Sequence, residues 1–169
     1  MASDNIIPLT SPACAERLAQ RRASPCSALF DVLDAVKDPE VPVLSIWDLG
    51  VLQDVLRVDD VIEVVITPTY SGCPAMEMIE TEIATCLHAA GHTQVRIRVR
   101  LAPPWTTDWM APDARERLRT YGIAPPHTAA CPQCGSQHTE LVSEFGSTAC
   151  KALYRCTDCR EPFDHFKGI

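Results

Sequence analysis

Residues 51–74 read VLQDVLRVDDVIEVVITPTYSGCP, and this stretch decides the fold of the first part of the chain. Two runs rich in branched apolar residues, 51–58 and 61–66, are separated by Asp59 and Asp60, which suit a tight turn. This pattern predicts a β-hairpin. A polar loop follows and leads into a predicted helix whose apolar residues recur at helical spacing. Those residues are Met76, Ile79, Ile83 and Leu87.

Helix and strand patterns continue on both sides of this stretch. Upstream, the sequence predicts a helix that begins at Ser24 and ends at Asp38, which precedes a proline. Downstream, apolar residues alternate with arginines over 95–101, which predicts a half-buried strand. The order helix–strand–strand–helix–strand indicates an α+β protein. Its first domain, residues 24–123, is predicted to be a two-layer α/β fold with the sheet on one side and the helices on the other.

Three further parts surround this domain. Residues 1–23 show little periodicity beyond a short helical stretch, so we expect a flexible N-terminal arm. Residues 124–130, APPHTAA, have the composition of a stiff linker. Residues 131–169 are rich in cysteine and are predicted to form a separate module.

Charge and hydropathy exclude several classes of protein. Basic residues number 15 and acidic residues 22, so the formal net charge is −7. Such a surface repels phosphate backbones, and we therefore expect no nucleic-acid partner. No apolar run approaches the ~20 residues of a membrane helix, and the N-terminal residues lack the apolar core of a signal peptide. We expect no membrane association and a cytoplasmic location.

The spacing of the cysteines in residues 131–169 predicts a metal site. Two CxxC pairs each place two thiolates on one tight turn, and two such turns complete a tetrahedral four-sulfur site. The predicted ligands are Cys131, Cys134, Cys156 and Cys159. Strand-like segments between them favour a small zinc β-ribbon, with zinc as the default metal and rubredoxin-like iron as the alternative. A closed four-sulfur site has no position for a substrate, so the ribbon is expected to hold a fold and not to catalyse.

Cys150 is a fifth cysteine of the ribbon and lies next to Lys151. It is either a buried thiol beside a strand or an exposed thiol whose thiolate the neighbouring ammonium favours. The four CxxC cysteines already complete the metal site without it. The balance of charges in the ribbon favours docking to a protein over binding to nucleic acid.

Cys73 stands apart from the metal pattern. It precedes a proline and suits the first position of the predicted helix, where free N–H groups and the macrodipole stabilise a negative sulfur. A low-pKa thiolate there would ligate iron or attack an electrophile, and the alternative is an inert cysteine at a helix end. Asp38 and Glu40 are either acid/base groups or metal ligands, or else turn and cap residues.

Two other features leave alternatives open. Arg96, Arg98 and Arg100 project from one face of the predicted strand. They form a solvated face, a contact for an acidic helix, or a site for a phosphate-bearing ligand such as a CoA ester. Trp105 and Trp109 lie in a proline-flanked loop. They are either contact anchors for a partner or buried between the sheet and the ribbon.

Longer motifs resemble two known families. A resemblance to the MIP18-like iron–sulfur assembly domain family lies in DPEVPVLSIWDLGVLQDV (38–55) and TPTYSGCP (67–74). A similarity to the family of D subunits of bacterial phenylacetyl-CoA epoxidase systems lies in LAPPWTTDWMAPDARERLRTYGI (101–123), CPQCGS (131–136) and SEFGSTACKALYRCTDCREPFDHFKGI (143–169). This resemblance implies an α/β domain followed by a zinc β-ribbon.

The resemblance also implies a function. Members of the D-subunit family are thought not to catalyse epoxidation and to help mature the multicomponent oxygenase, through its iron–sulfur reductase or its di-iron subunit. The cysteine of the assembly family's T-x-x-x-C-P loop is the proposed functional thiol, and Cys73 occupies that position. The family's DPE carboxylates correspond to Asp38 and Glu40. We therefore predict an accessory maturation factor of a phenylacetyl-CoA epoxidase, with zinc in the ribbon and transient iron or an iron–sulfur cluster at Cys73.

One thiolate per chain cannot hold a cluster as four cysteines do. The missing ligands must come from a second protomer, a small thiol, Cys150 or the client. We therefore expect a homodimer, or a complex with oxygenase or reductase subunits, whenever a cluster is bound. One alternative is a scaffold, stabilised by the metal ion of the ribbon, that docks reductase and oxygenase subunits without carrying iron. Another is a thiol hydrolase that uses Cys73.

Overall fold

The predicted hairpin and the helix after it are present in the computed structural model, which describes residues 10–169. Its helices are α1 (Pro12–Ala23), α2 (Ser27–Leu33), α3 (Met76–Ala89) and α4 (Ala114–Tyr121). Its strands are β1 (Lys37–Asp38), β2 (Val41–Ser45), β3 (Leu52–Val58), β4 (Val61–Ile66), β5 (Val95–Val99), β6 (Ile123–Ala124), β7 (Thr139–Ser143), β8 (Lys151–Cys156) and β9 (Pro162–Phe166). None of the helices described has the length and apolar content of a membrane span.

A three-stranded sheet with the order β3-β4-β5 is one layer of the first domain. Strands β3 and β4 are antiparallel, and β5 lies parallel to β4 because α3 carries the chain back along the sheet. Helices α2 and α3 form the other layer and contribute large buried side chains to the core. These include Phe30, Leu33, Ile79, Ile83 and Leu87. The α+β class and the two-layer prediction are confirmed.

The structure adds a small antiparallel pair, β1 and β2, ahead of the sheet. Asp38 makes the turn between them, because its Oδ1 accepts the backbone N–H groups of Glu40 at 2.8 Å and of Val41 at 2.9 Å. A carboxylate that bonds the backbone two and three residues ahead fixes a tight turn. This turn holds Glu40 at the side of the first domain that contacts the ribbon.

Residues 12–23 form helix α1 and not a flexible arm, whereas residues 1–9 lie outside the described residues. Arg17 docks this helix on the first domain. Its guanidinium lies 4.1 Å from the centre of the Trp47 ring, and its Nη2 donates to the backbone carbonyl of Leu52 at 2.7 Å. The expectation of a flexible arm is wrong for residues 12–23, because Arg17 anchors the helix together with the buried Cys14 and the partly buried Leu18.

The second sheet has the order β6-β9-β8-β7 and builds the ribbon. Strand β6 pairs with β9, so Ala124, predicted as the first residue of the linker, already belongs to this sheet. The ribbon's own core is small and consists of Ala124, Cys131, Cys156 and Phe163. Phe166 packs instead in the core of the first domain, with its ring 6.0 Å from that of Trp105. The ribbon is therefore seated on the first domain.

Candidate functional site

The four cysteines predicted as metal ligands converge in the ribbon. All four Sγ atoms lie within 4.8 Å of one another, with Cys131 and Cys159 at 3.7 Å and Cys134 and Cys156 at 3.6 Å. Zinc–sulfur bonds of about 2.3 Å in a tetrahedron place the sulfurs about 3.8 Å apart. The observed spacing therefore fits a tetrahedral ion such as zinc.

Tight backbone turns hold these sulfurs. Gly135 has a φ of +76°, in the left-handed region, and its N–H donates to the carbonyl of Cys131 at 2.8 Å. The N–H of Cys159 donates to Sγ of Cys156 at 3.5 Å, and this hydrogen bond lowers the pKa of the Cys156 thiol. Such N–H donors favour the thiolate that a metal ion requires. A closed four-sulfur set is typical of a structural and not a catalytic zinc site.

Cys73 lies in the loop between β4 and α3, ahead of the first residue of α3, Met76. Its N–H donates to the carbonyl of Tyr70 at 3.2 Å, and its own carbonyl accepts the N–H of Met76 at 3.4 Å. The side chain is half-buried against the core of the first domain. Because Cys73 precedes the helix and does not start it, the helix macrodipole acts on the sulfur less than the sequence predicts.

Burial raises the pKa of the Cys73 thiol to about 11. The backbone N–H of Ala75 acts in the opposite direction, but the charges of Glu40, Asp38 and Cys150 raise the pKa further. The prediction of a low-pKa thiolate is therefore wrong, because desolvation and anionic neighbours outweigh a single N–H donor. A metal ion that displaces the proton can still bind this sulfur, whereas the free thiol is a weak nucleophile at neutral pH.

Two carboxylates and a second thiol surround the Cys73 loop. Asp38 is buried, and burial raises its pKa although backbone N–H groups and Lys151 oppose the shift. The Oε2 atom of Glu40 lies 3.8 Å from Sγ of Cys150, and the backbone carbonyl of Glu40 accepts Nζ of Lys151 at 3.3 Å. Asp38 and Glu40 are near enough for their charges to raise the pKa of Cys73, and Glu40 contacts Cys150 directly.

Cys150 lies in the same region of the structure. From the sequence, it was only one of several possible sources of the missing cluster ligands. It is 7% exposed, so the buried interpretation is confirmed, and burial raises the pKa of its thiol. Lys151 is also buried, at 3% exposure. The sequence did mark Cys150 as unusual, because the four CxxC cysteines already complete the zinc site and leave this fifth ribbon cysteine without a ligand position. The contact of Cys150 with Glu40 depends on how the ribbon packs on the first domain, and no sequence pattern near either residue indicates it.

Alkylation of Cys73 is expected to be slow, and its rate is expected to keep rising with pH without levelling off below about pH 9. A pKa of about 11 in place of 9.0 lowers the thiolate fraction about 100-fold at neutral pH. The more basic thiolate regains about ten-fold through its higher nucleophilicity, so the net rate is about ten-fold below that of the same loop as a free peptide. Timed iodoacetamide labelling of the zinc-loaded protein, read by peptide mass spectrometry, measures this rate. A plateau of the rate near about pH 8 would contradict the raised pKa.

The two tryptophans for which the sequence left a partner anchor and burial as alternatives both pack within the chain. Trp105 is buried, and its Nε1 donates to the carbonyl of Leu49 at 3.1 Å. Burial between sheet and ribbon is confirmed for Trp105, which faces Phe166. Trp109 is half-buried and lies against Gly50, where an added Cβ would come within 2.8 Å of the Cβ of Trp109. Trp105 is therefore not available as an anchor for the scaffold alternative.

The two arginines of β5 and Arg100, which follows the strand, also have partners within the chain. The carboxylate of Glu63 pairs with two of them. It lies 3.0 Å from Nε of Arg98 and 3.7 Å from Nη1 of Arg96. Arg100 donates to Oε1 of Gln53 at 3.0 Å. These contacts favour a solvated face over a site for a CoA ester.

Comparisons with known proteins agree with this two-part fold. A family model described as "Iron-sulfur cluster assembly protein" matches residues 27–99, and one described as "PaaD zinc beta ribbon domain" matches residues 119–167. The crystal structure of the domain of unknown function DUF59 from Bacillus anthracis has a TM-score of 0.51 at 25% identity, and covers 62% of this chain and 95% of its own. These matches define the class as an iron–sulfur assembly-type domain joined to a zinc ribbon.

Two curated relatives narrow the class. The "Fe-S protein maturation auxiliary factor" of Porphyromonas gingivalis (strain ATCC BAA-308 / W83) is 32% identical over 89 residues, which cover 52% of this chain and 84% of that protein. The D subunit of the "Putative 1,2-phenylacetyl-CoA epoxidase" of Escherichia coli (strain K12) is 49% identical over 164 residues, which cover 91% of this chain and 99% of that protein. The chain belongs to the family of phenylacetyl-CoA epoxidase D subunits. The resemblance stated from the sequence motifs is confirmed.

Proposed function

We propose that the chain is an accessory maturation factor of a multicomponent phenylacetyl-CoA epoxidase. In this function Cys73 transiently holds iron or an iron–sulfur cluster, the cargo, before its delivery to an oxygenase or reductase subunit. Cys73, Asp38 and Glu40 form the cargo site, and zinc in the ribbon is structural. The observation that carries the proposal is a half-buried thiol beside two carboxylates, in the loop of an iron–sulfur assembly-type domain.

The raised pKa of Cys73 suits a site that must release what it binds. A proton competes with iron for the sulfur. With a pKa of about 11, the Cys73 thiol is protonated at neutral pH, and iron binds its sulfur only by displacing that proton.

The thiol hydrolase alternative has little support from this geometry. A nucleophilic cysteine needs a lowered pKa and a neighbouring base, whereas burial and nearby carboxylates raise the pKa of Cys73. Within residues 10–169, no histidine forms a hydrogen bond with Cys73. His88 is exposed near the far end of α3.

Loading of the client subunits tests the proposal. Oxygenase and reductase subunits are produced with the wild-type chain, with Cys73→Ala, or without the chain, and their iron and sulfide contents are measured after purification. We expect client iron with Cys73→Ala to fall to the level found without the chain. Cys86→Ser is the matched control, since the half-buried Cys86 lies on α3 and donates to the carbonyl of Val32 at 3.3 Å.

Two outcomes would contradict the proposal in different ways. Full client iron with Cys73→Ala, combined with depleted iron without the chain, would favour the scaffold that docks subunits without carrying iron. Full client iron in the absence of the chain would show that the chain has no function in maturation.

A further inference from the structure

Cys150 reaches the Cys73 loop from the ribbon, and strand β8 sets its position. It immediately precedes β8, and its backbone carbonyl accepts the N–H of Lys167 at 3.0 Å. Its side chain belongs to the core of the first domain and not to the small core of the ribbon. Its Sγ lies 3.8 Å from the carboxylate of Glu40, which also neighbours Cys73.

We propose that Cys150 is a second thiol ligand of the cargo, so that the cargo site spans both domains. This inference rests on the proposed function, because it names a further residue of the same site. Cys73 and Glu40 come from two segments of the first domain, and Cys150 comes from the ribbon. Their thiolate and carboxylate donors are ligands that iron accepts. With two thiols in one chain, the number of cysteines that a four-cysteine cluster needs from other sources falls from three to two.

Lys151 fits cargo in the form of a thiolate-bound cluster. Its Nζ is buried and lies 3.3 Å from the carbonyl of Glu40 and 3.9 Å from the carboxylate of Asp164. Cys73 and Cys150 would be two of the four thiolates around a cluster, and a cluster core held by four thiolates carries a net negative charge beside the existing carboxylates. A buried ammonium offsets this charge, whereas it would repel a bare divalent ion.

The same strand connects the cargo site to the zinc site. Cys156 ends β8, and at about 3.3 Å per residue it lies about 20 Å from Cys150. Zinc at Cys156 is therefore too distant to share a ligand with the cargo. Zinc binding instead stabilises β8, the strand that positions Cys150. The ribbon thus contributes a ligand to the first domain in addition to holding its own fold.

Anaerobic titration of Fe(II) and sulfide into the zinc-loaded protein tests this proposal. The readouts are the iron retained after desalting and the thiolate-to-iron charge-transfer absorbance. We expect Cys150→Ser and Cys150→Ala to weaken iron retention about ten-fold or more and to reduce the absorbance. Cys86→Ser should match the wild type. Unchanged zinc content and circular dichroism show that the variants are folded.

The outcomes separate this inference from the proposed function. Loss of uptake in both Cys73→Ala and the Cys150 variants supports a site that spans both domains. Loss in Cys73→Ala with wild-type uptake in folded Cys150 variants overturns the inference and leaves the proposed function intact. Wild-type uptake in all variants overturns both.

A second measurement applies if the Cys150 variants do not fold. The wild-type, zinc-loaded protein is treated with dibromobimane, a short reagent that bridges two thiols, and peptide mass spectrometry identifies the bridged residues. We expect a bridge between Cys73 and Cys150 that prior loading with iron and sulfide suppresses. No bridge, or a bridge that iron and sulfide leave unchanged, overturns the inference.

Discussion

Cys156→Ser is expected to release the zinc and to unfold most of residues 131–169. Cys156 is fully buried, and its Sγ lies 3.6 Å from that of Cys134. The ribbon's own core contains few apolar side chains, so the metal must supply most of its folding free energy. Zinc binding contributes about 10–16 kcal/mol in comparable small domains, which makes the loss of one thiolate a large effect.

Metal analysis and amide NMR spectra check this prediction. We expect zinc to fall from about one ion per chain to almost none, with loss of the dispersed signals of β7 and β8. Signals of β3, β4 and α3 should persist, because the first domain has a core of its own. Cys86→Ser should keep both the zinc and the signals. A folded ribbon without zinc in Cys156→Ser would mean that apolar packing holds this module.

Phe166→Ala is expected to lower the free energy of unfolding by about 3–5 kcal/mol and to detach the ribbon from the first domain. Phe166 is 1% exposed and packs near Trp105, with ring centres 6.0 Å apart. Phe145 offers a matched control in the same ribbon, because its side chain is 67% exposed. Phe145→Ala should change stability by no more than about 0.5 kcal/mol.

Thermal unfolding and limited proteolysis measure this difference. At roughly 2–4 °C per kcal/mol, Phe166→Ala should lower the midpoint by about 10 °C. It should also speed cleavage within residues 124–130, since a detached ribbon exposes that segment. Equal midpoint shifts in Phe166→Ala and Phe145→Ala would contradict the seating of the ribbon on the first domain.

Features written in local sequence patterns could be predicted. The hairpin at 51–66 and the apolar face of α3 follow from two- and four-residue periodicities, which depend only on neighbouring residues. The four CxxC cysteines follow from ligand spacing within two tight turns. In each case the signal lies in residues that are close together in the chain.

Features that depend on contacts between distant segments could not be predicted. Helix α1 docks through Arg17 on Trp47, a contact that leaves no apolar stripe in the sequence. The pKa of Cys73 follows from burial and from neighbours contributed by two other segments, so its position before a helix gave the wrong direction. The nearness of Cys150 to Glu40 exists only once the ribbon is seated.

The central claim is that Cys73 holds iron that the zinc site does not. The most direct measurement is the zinc and iron content of protein incubated anaerobically with Fe(II) and sulfide and then desalted, for the wild type and for Cys73→Ala. We expect the wild type to retain zinc and iron, and Cys73→Ala to retain zinc alone. Equal iron in the two proteins, or zinc without iron in both, would contradict the assignment of Cys73 as the cargo thiol.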